Sequence, residues 1–224
     1  MKRAVVIVAA GTGSRMGAGL PKQYLPLGDK PVIVHTLEKF QSFDPDIKPI
    51  VVLGHDHQEH WDRVAASFEV ARRAVLAWGG STRYHSVKNG LDHIDDEVLV
   101  GIHDAVRPLV SELTLARCYD SAEKYGSGIP AIEMIESVRI LEGRGNSRHL
   151  DRSGLRIIQT PQVFRSKQII KAYQAAYNHD FTDDASVYET SFGRVSLVEG
   201  NRQNIKITTP QDLQLAHLLM ASPD

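Results

Sequence analysis

Arg15 and Lys22 stand in and just after a run of small residues, Ala9-Ala10-Gly11-Thr12-Gly13-Ser14-Arg15-Met16-Gly17, which continues to Pro21-Lys22-Gln23. Glycines let successive backbone N–H groups converge on a phosphate without interference from Cβ, and the two cations add fixed positive charge. Together they outline a polyphosphate cradle. The run departs from two commoner templates: the P-loop ending Gly-Lys-Ser/Thr is absent, and the dinucleotide fingerprint needs its third glycine where Met16 stands. The alternative is that these small residues only turn the chain from strand to helix.

Other clusters carry chemistry only in combination. In Gly79-Gly80-Ser81-Thr82-Arg83-Tyr84-His85-Ser86-Val87, two glycines admit a planar ring close to the backbone. Ser86, one helical turn on, can aim a hydroxyl back at it. A nucleobase would fit there, and so would an ordinary helix N-terminus. His103-Asp104-Ala105-Val106-Arg107-Pro108 sets a carboxylate beside an arginine. That is either a plain ion pair or a place where Asp104, a hard oxygen ligand, holds Mg²⁺ bridging phosphates. His103 is expected as a packed imidazole. In Asn204-Ile205-Lys206-Ile207-Thr208, Lys206 either faces water from an alternating strand or adds a cation to a cleft bordered by that strand's end. A rival cluster, His55-Asp56-His57-Gln58-Glu59-His60, approximates the ligand spacing of binuclear metallohydrolases, or else coats a helix's first turns.

The elements that must position these residues are legible as alternation. Apolar runs at Ala4 to Ala9, Ile50 to Leu53, Ala74 to Trp78, Val98 to His103 and Gly128 to Ile132 read as strands. Helices are expected at Pro31 to Phe40, His57 to Phe68, Arg83 to Ile94, Ser111 to Tyr125, Ser166 to Asn178 and Pro210 to Met220. Strands apolar nearly throughout are covered on both faces, so the class is α/β with a mostly parallel sheet flanked by helices, and ligands gather at the strands' carboxyl ends. One stretch, 133–155, reads instead as a strand from Ser137 to Leu141, a turn Gly143-Arg144-Gly145-Asn146 and a return. A lone hairpin is marginal in water, so this arm should pack on something, a second copy being the simplest candidate.

The 224 residues, with 26 Lys+Arg against 27 Asp+Glu, suit a single domain and offer no global field for nucleic acid or an anionic membrane. The single cysteine, Cys118, forms no intrachain disulfide, and no apolar run approaches the roughly 20 residues of a membrane span. With no signal-peptide pattern at the start, a cytoplasmic location is expected.

Taken in order, the cradle loop, Gly79-Gly80 with Arg83 and Ser86-Val87, and His103 to Pro108 are joined by Asp151-Arg152-Ser153-Gly154-Leu155, Gln159-Thr160-Pro161-Gln162, Thr182-Asp183-Asp184-Ala185-Ser186, Glu199-Gly200 and Asn204 to Thr208. The set resembles the 2-C-methyl-D-erythritol 4-phosphate cytidylyltransferase family across almost the whole chain. The resemblance implies a Rossmann-like fold of the nucleotide-diphospho-sugar transferase type with a projecting β-hairpin arm. It also implies a homodimer formed through that arm, and transfer of the cytidylyl group of CTP to methylerythritol phosphate with Mg²⁺ in the non-mevalonate isoprenoid pathway. On the same basis Arg15 and Lys22 would stabilise the transition state, and Arg152, acting across the dimer, would position the acceptor phosphate with Lys206. Gly80, Ser86 and the Ala9-Ala10 backbone would read cytosine. Gly11, Gly13, Asp104, Ala105, Arg107, Ser137, Thr160 and Thr182 would complete the substrate contacts. Ribitol-5-phosphate cytidylyltransferases share the CTP half of these motifs, whereas the segments at 151–155 and 182–186 look more like the methylerythritol enzymes. A nucleotide-binding module without turnover and a zinc hydrolase are the other readings.

Overall fold

The computed structural model describes residues 1–11 and 19–221. In chain order the strands are β1 (Arg3–Ala9), β2 (Pro26–Leu27), β3 (Lys30–Pro31), β4 (Lys48–Leu53), β5 (Val75–Trp78), β6 (Leu99–Asp104), β7 (Ser127–Glu133), β8 (Val138–Gly143), β9 (Asn146–Leu150), β10 (Arg156–Ile158), β11 (Gln162–Arg165) and β12 (Leu197–Glu199). The helices are α1 (Val32–Phe43), α2 (Gln58–Ser67), α3 (Glu69–Arg72), α4 (Arg83–Leu91), α5 (Glu112–Tyr125), α6 (Ser166–Ala172), α7 (Asp184–Phe192) and α8 (Pro210–Ala221).

The main sheet has the order β10-β7-β11-β6-β1-β4-β5, with β12 also pairing β7. Strands β5, β4, β1, β6, β7 and β12 run one way, and β10 and β11 run against them. The apolar runs have a direct cause in this layering. Val5 and Ile7 of β1 join α1 and α5 in one core with Leu37, Phe40 and Tyr119, while Ala4 and Val6 face a second core with Val87, Leu91 and Phe164. Both faces of the strand are dry, so alternation disappears from the sequence. A third, smaller core holds α8 through Ala216 against Leu27, Val106 and Ile207.

Several elements differ from the sequence expectation. The segment from Asn204 to Thr208 forms neither helix nor strand; Ile207 N donates to Val106 O at 2.9 Å instead of joining a ladder. Helix α6 stops at Ala172, well before Asn178. There the Tyr84 hydroxyl lies 2.9 Å from Tyr173 O and 2.6 Å from Ala175 O, which binds the following backbone outside a helical ladder. Helix α7 is additional. Its start is a capping box: Asp183 Oδ1 accepts from Ser186 N at 2.9 Å, and the Asp183 N–H reaches back to Ser186 Oγ at 3.3 Å.

The expected arm is present as the two-stranded pair β8–β9, separate from the main sheet. Its turn runs through positive φ at Gly143 (87°), Arg144 (50°) and Gly145 (80°). Among the described residues, no helix is long and apolar enough to cross a membrane.

Candidate active site

The carboxyl ends of β1, β5 and β6 open onto a cleft of about 450 Å³. Ala9, Ala10, Gly11, Lys22, Gly80, Ser86, Asp104, Ala105 and Lys206 all line it, drawn from four distant parts of the chain. Arg15 and Gly13 lie outside the described residues.

The loop after β1 is held by a residue the sequence reading did not single out. Gln23 is 1% exposed, and its Nε2 donates to Ala9 O at 2.7 Å and to Gly11 O at 3.2 Å. His57 Nδ1 lies 3.2 Å from the same amide, and burial lowers the pKa of this imidazole. Opposite, the loop after β5 presses against the first. A Cβ on Gly79 would stand 2.5 Å from Ala10 Cβ, and one on Gly80 would stand 2.4 Å from His85 Cβ. The two glycines are therefore required by the protein's own packing, before any ring is considered. Thr82 caps α4 by accepting from His85 N, and Ser86 Oγ accepts from Gly80 N at 3.1 Å while donating to Thr82 O at 3.0 Å.

Asp104 is the electrostatic centre. It is 7% exposed, and its Oδ2 receives Arg107 Nε at 3.1 Å and Lys206 Nζ at 3.0 Å. Oδ1 lies 3.7 Å from Arg83 Nε. Burial alone would raise the carboxyl's pKa, but Arg83, Lys206 and Arg107 outweigh it and hold the group ionised well below the usual carboxylate range. A divalent cation carried on a polyphosphate needs only one or two protein carboxylates. Asp104 fits that demand, since among the described residues its Oδ1 accepts no hydrogen bond.

Behind Asp104 lies a relay of hydrogen bonds with one consistent direction. Burial lowers His103 to about 4, so the imidazole is neutral. Its Nε2 faces Arg107 O at 3.0 Å, an acceptor only, so Nε2 carries the proton. Nδ1 then accepts from the Thr160 hydroxyl at 3.1 Å, whose oxygen accepts from Asp104 N at 3.1 Å. Thr160 thus supports the cleft from behind and does not line it. Arg107 is likewise one layer back. Its NH1 donates to Asn204 O at 2.7 Å, Asn204 Nδ2 donates to Thr160 O at 2.8 Å, and Gln159 Nε2 donates to Asn201 O at 2.9 Å. These bonds deliver Lys206 to Asp104 without a strand.

Arg83, which the sequence offers only as part of the Gly79 to Val87 motif and without a role, is the other member. It lines the cleft and forks onto Asp184, NH1 to Oδ1 at 2.8 Å and NH2 to Oδ2 at 2.7 Å. Three expected residues stand elsewhere. Thr182 is exposed just before α7, Ser137 is exposed at the foot of the arm, and Arg152, also exposed, donates to Ile135 O within the arm's base. The rival histidines do not converge. His55 stacks on Trp78 at 5.3 Å, His57 is buried under the β1 loop, and His60 Nδ1 accepts from Arg63 NH2 at 2.7 Å. Among the described residues, no group of three His, Cys, Asp or Glu side chains could hold a metal ion.

Comparison with known proteins points the same way over nearly the full length. The family model described as 2-C-methyl-D-erythritol 4-phosphate cytidylyltransferase matches residues 3–222. The protein of that name from Phocaeicola vulgatus is 47% identical over 220 residues, covering 98% of this chain and 100% of the relative. The one from Porphyromonas gingivalis is 47% identical over 223 residues, with 99% of each chain covered. The crystal structure of the Thermus thermophilus enzyme superposes with a TM-score of 0.78 at 30% identity, covering 99% of this chain and 100% of that one. With matches that span both the cleft and the arm, this chain belongs to the 2-C-methyl-D-erythritol 4-phosphate cytidylyltransferase family.

Proposed function

We infer that the protein transfers the cytidylyl group of CTP to 2-C-methyl-D-erythritol 4-phosphate, releasing pyrophosphate and forming 4-diphosphocytidyl-2-C-methyl-D-erythritol for isoprenoid synthesis. The observation that carries the reading is the meeting of Lys22, Lys206, Arg83 and Asp104 in one cleft at the carboxyl ends of β1, β5 and β6. In this reaction an oxygen of the acceptor phosphate attacks the α-phosphorus of CTP. The bond from that phosphorus to the oxygen bridging to the β-phosphate breaks, and its electron pair leaves with pyrophosphate.

Two anions must therefore meet. Like unit charges about 4 Å apart repel by about 4 kcal/mol at an effective dielectric of 20, so converging cations remove a large part of the barrier. Lys22, with Arg15, takes the charge that develops on the triphosphate, and Lys206 takes the acceptor phosphate. Asp104 would hold the Mg²⁺ that accompanies the triphosphate, an ion whose contribution is to neutralise phosphate oxygens. The acceptor phosphate is already ionised at neutral pH, so the chemistry consists of positioning and preorganised charge without a catalytic histidine.

The arm supports a homodimer. Its strands pair with each other and leave Leu141 82% exposed, a surface that a second copy would cover. Arg152 at its base would then serve the partner's cleft. The deciding experiment is pyrophosphate release from CTP with either methylerythritol phosphate or ribitol 5-phosphate as acceptor. Release with the first supports the reading; release with the second alone moves the assignment to the other polyol phosphate.

A further inference from the structure

Three cations surround Asp104, but they do not do the same thing. Arg107 and Lys206 both bond Oδ2, on one side of the carboxylate. Arg83 stands on the other side, facing Oδ1 at 3.7 Å, a charge contact longer than a hydrogen bond. The orientation of the carboxylate is thus set by opposed pulls, and Arg83 supplies one of them.

The position of Arg83 is fixed from outside the cleft. Both terminal nitrogens are committed to Asp184, which is fully buried and accepts a further hydrogen bond from the Tyr173 hydroxyl at 2.6 Å. Tyr173 is itself 2% exposed, in the core beneath α4. A planar fork bonded twice has little freedom to swing, unlike a lysine ammonium on a flexible stem. Arg83 is also the first residue of α4, directly after the Thr82 cap and one turn before Ser86, so the fork ties the wall formed by Gly80 and Ser86 to Asp104. Burial alone opposes charge on Arg83, and Asp184 with Asp104 more than offsets it, raising its pKa. A buried ion pair kept only for stability has no need to face the cleft, because well-packed apolar residues often serve stability as well.

We propose that Arg83 is a positioning residue for cytidylyl transfer: held by Asp184 and Tyr173, it acts as a strut that fixes Asp104 against the nucleotide wall. The inference rests on the cytidylyltransferase reading above.

The test uses the whole enzyme and the variants Arg83→Lys, Asp184→Asn, their combination, and Tyr173→Phe. Measured for each are kcat, both KM values, the Kd for CTP by calorimetry, and Tm. Expected are kcat losses of about 30-fold for either single variant, a combined loss within about twofold of the worse single, and about threefold for Tyr173→Phe, with Kd for CTP moving less than about threefold. The informative point is that Asp184 and Tyr173 do not line the cleft, yet should change kcat through Arg83. The proposal is overturned by losses that multiply in the combined variant. Variants that lower Tm while kcat holds, or a large rise in the Kd for CTP with kcat unchanged, also overturn it. If the charged variants do not fold, the isosteric Tyr173→Phe decides alone, and an unaltered kcat there sinks the strut. Wild-type enzyme that turns over while the variants keep wild-type kcat defeats this inference only; wild-type enzyme that releases no pyrophosphate defeats the function reading, and the inference with it.

Discussion

The cleft and the arm use similar residue types under opposite constraints. In the cleft, Gly79 is required because a Cβ would strike Ala10 at 2.5 Å, so its lack of a side chain lets two loops touch. In the arm, Gly143 and Gly145 have open space around them and are required for φ values of 87° and 80°. Charged residues divide the same way. Asp104 is 7% exposed and engaged by three cations, whereas Arg152 is exposed and donates to a backbone oxygen. One region is specified by the packed core beneath it. The other is a ribbon whose surroundings must come from elsewhere.

The largest expected effect tests the cleft side of this contrast. Replacing Lys22 by Ala removes a cleft cation that the proposed mechanism aims at developing phosphate charge, and on that mechanism kcat should fall about 100- to 1,000-fold with Tm within about a degree or two. Near-normal turnover would take Lys22 out of the mechanism and leave the cleft with no sharper role than the arm. The next effect is on stability. His103 titrates near 6.5 when unfolded but only at about 4 in the folded protein, so between those values the unfolded chain binds the extra proton. Stability is complete above pH 6.5 and declines as pH falls towards 4, by up to roughly 3 kcal/mol, with His57 acting in the same direction. Urea midpoints at pH 7 and pH 5 check this. Equal midpoints would mean that the layer under Asp104 is not dry.

Gly79→Ala should come third. Overpacking costs about 1–3 kcal/mol, here by prising the β5 loop off Ala10, so CTP affinity should drop about tenfold or more. Gly154→Ala, with nothing within 4 Å of the added Cβ, should leave CTP binding unaltered. If both substitutions behave alike, the distinction between close approach and free space fails.

The parts that were legible in the sequence are those where a residue follows a strand in the chain. Lys22, Gly80 and Asp104 come soon after β1, at the end of β5 and at the end of β6, so the apolar runs announced both the strands and the residues at their carboxyl ends. Lys206 was harder. Its flanking isoleucines imitate a strand, yet the segment is held by Arg107 and Gln159 from afar, and such bonds leave no local period. Asp184 was hidden for a related reason. An acidic residue in a helix's first turn reads as a surface group, and its partner Arg83 lies 101 positions away. Helix α7 itself was recoverable, because Asp183 and Ser186 have the spacing of a capping box. Thr160 belongs to the cleft only by the family resemblance, while its depth depends on how β11 lies against β6.

The smallest effect bears on the arm. Arg152 lies at the base of a ribbon that makes its own strand pairs and leaves Leu141 bare, so its side chain has no place in this subunit's cleft unless a second copy supplies the geometry. Arg152→Ala should therefore raise the KM for methylerythritol phosphate about tenfold, with CTP binding unchanged, because only the acceptor phosphate loses a cation. Mixing this variant with Lys22→Ala makes the contrast decisive. If the arm serves the opposite subunit, a mixed dimer has one cleft carrying both lesions and one carrying neither, so an equal mixture assayed with methylerythritol phosphate well below its KM should return towards about a quarter of wild-type activity as subunits exchange. If Arg152 acts within its own chain, every cleft of the mixture keeps a lesion and nothing is regained. Recovery on mixing would fix the arm as a shared part of two active sites; no recovery, with the KM shift intact, would return Arg152 to its own subunit.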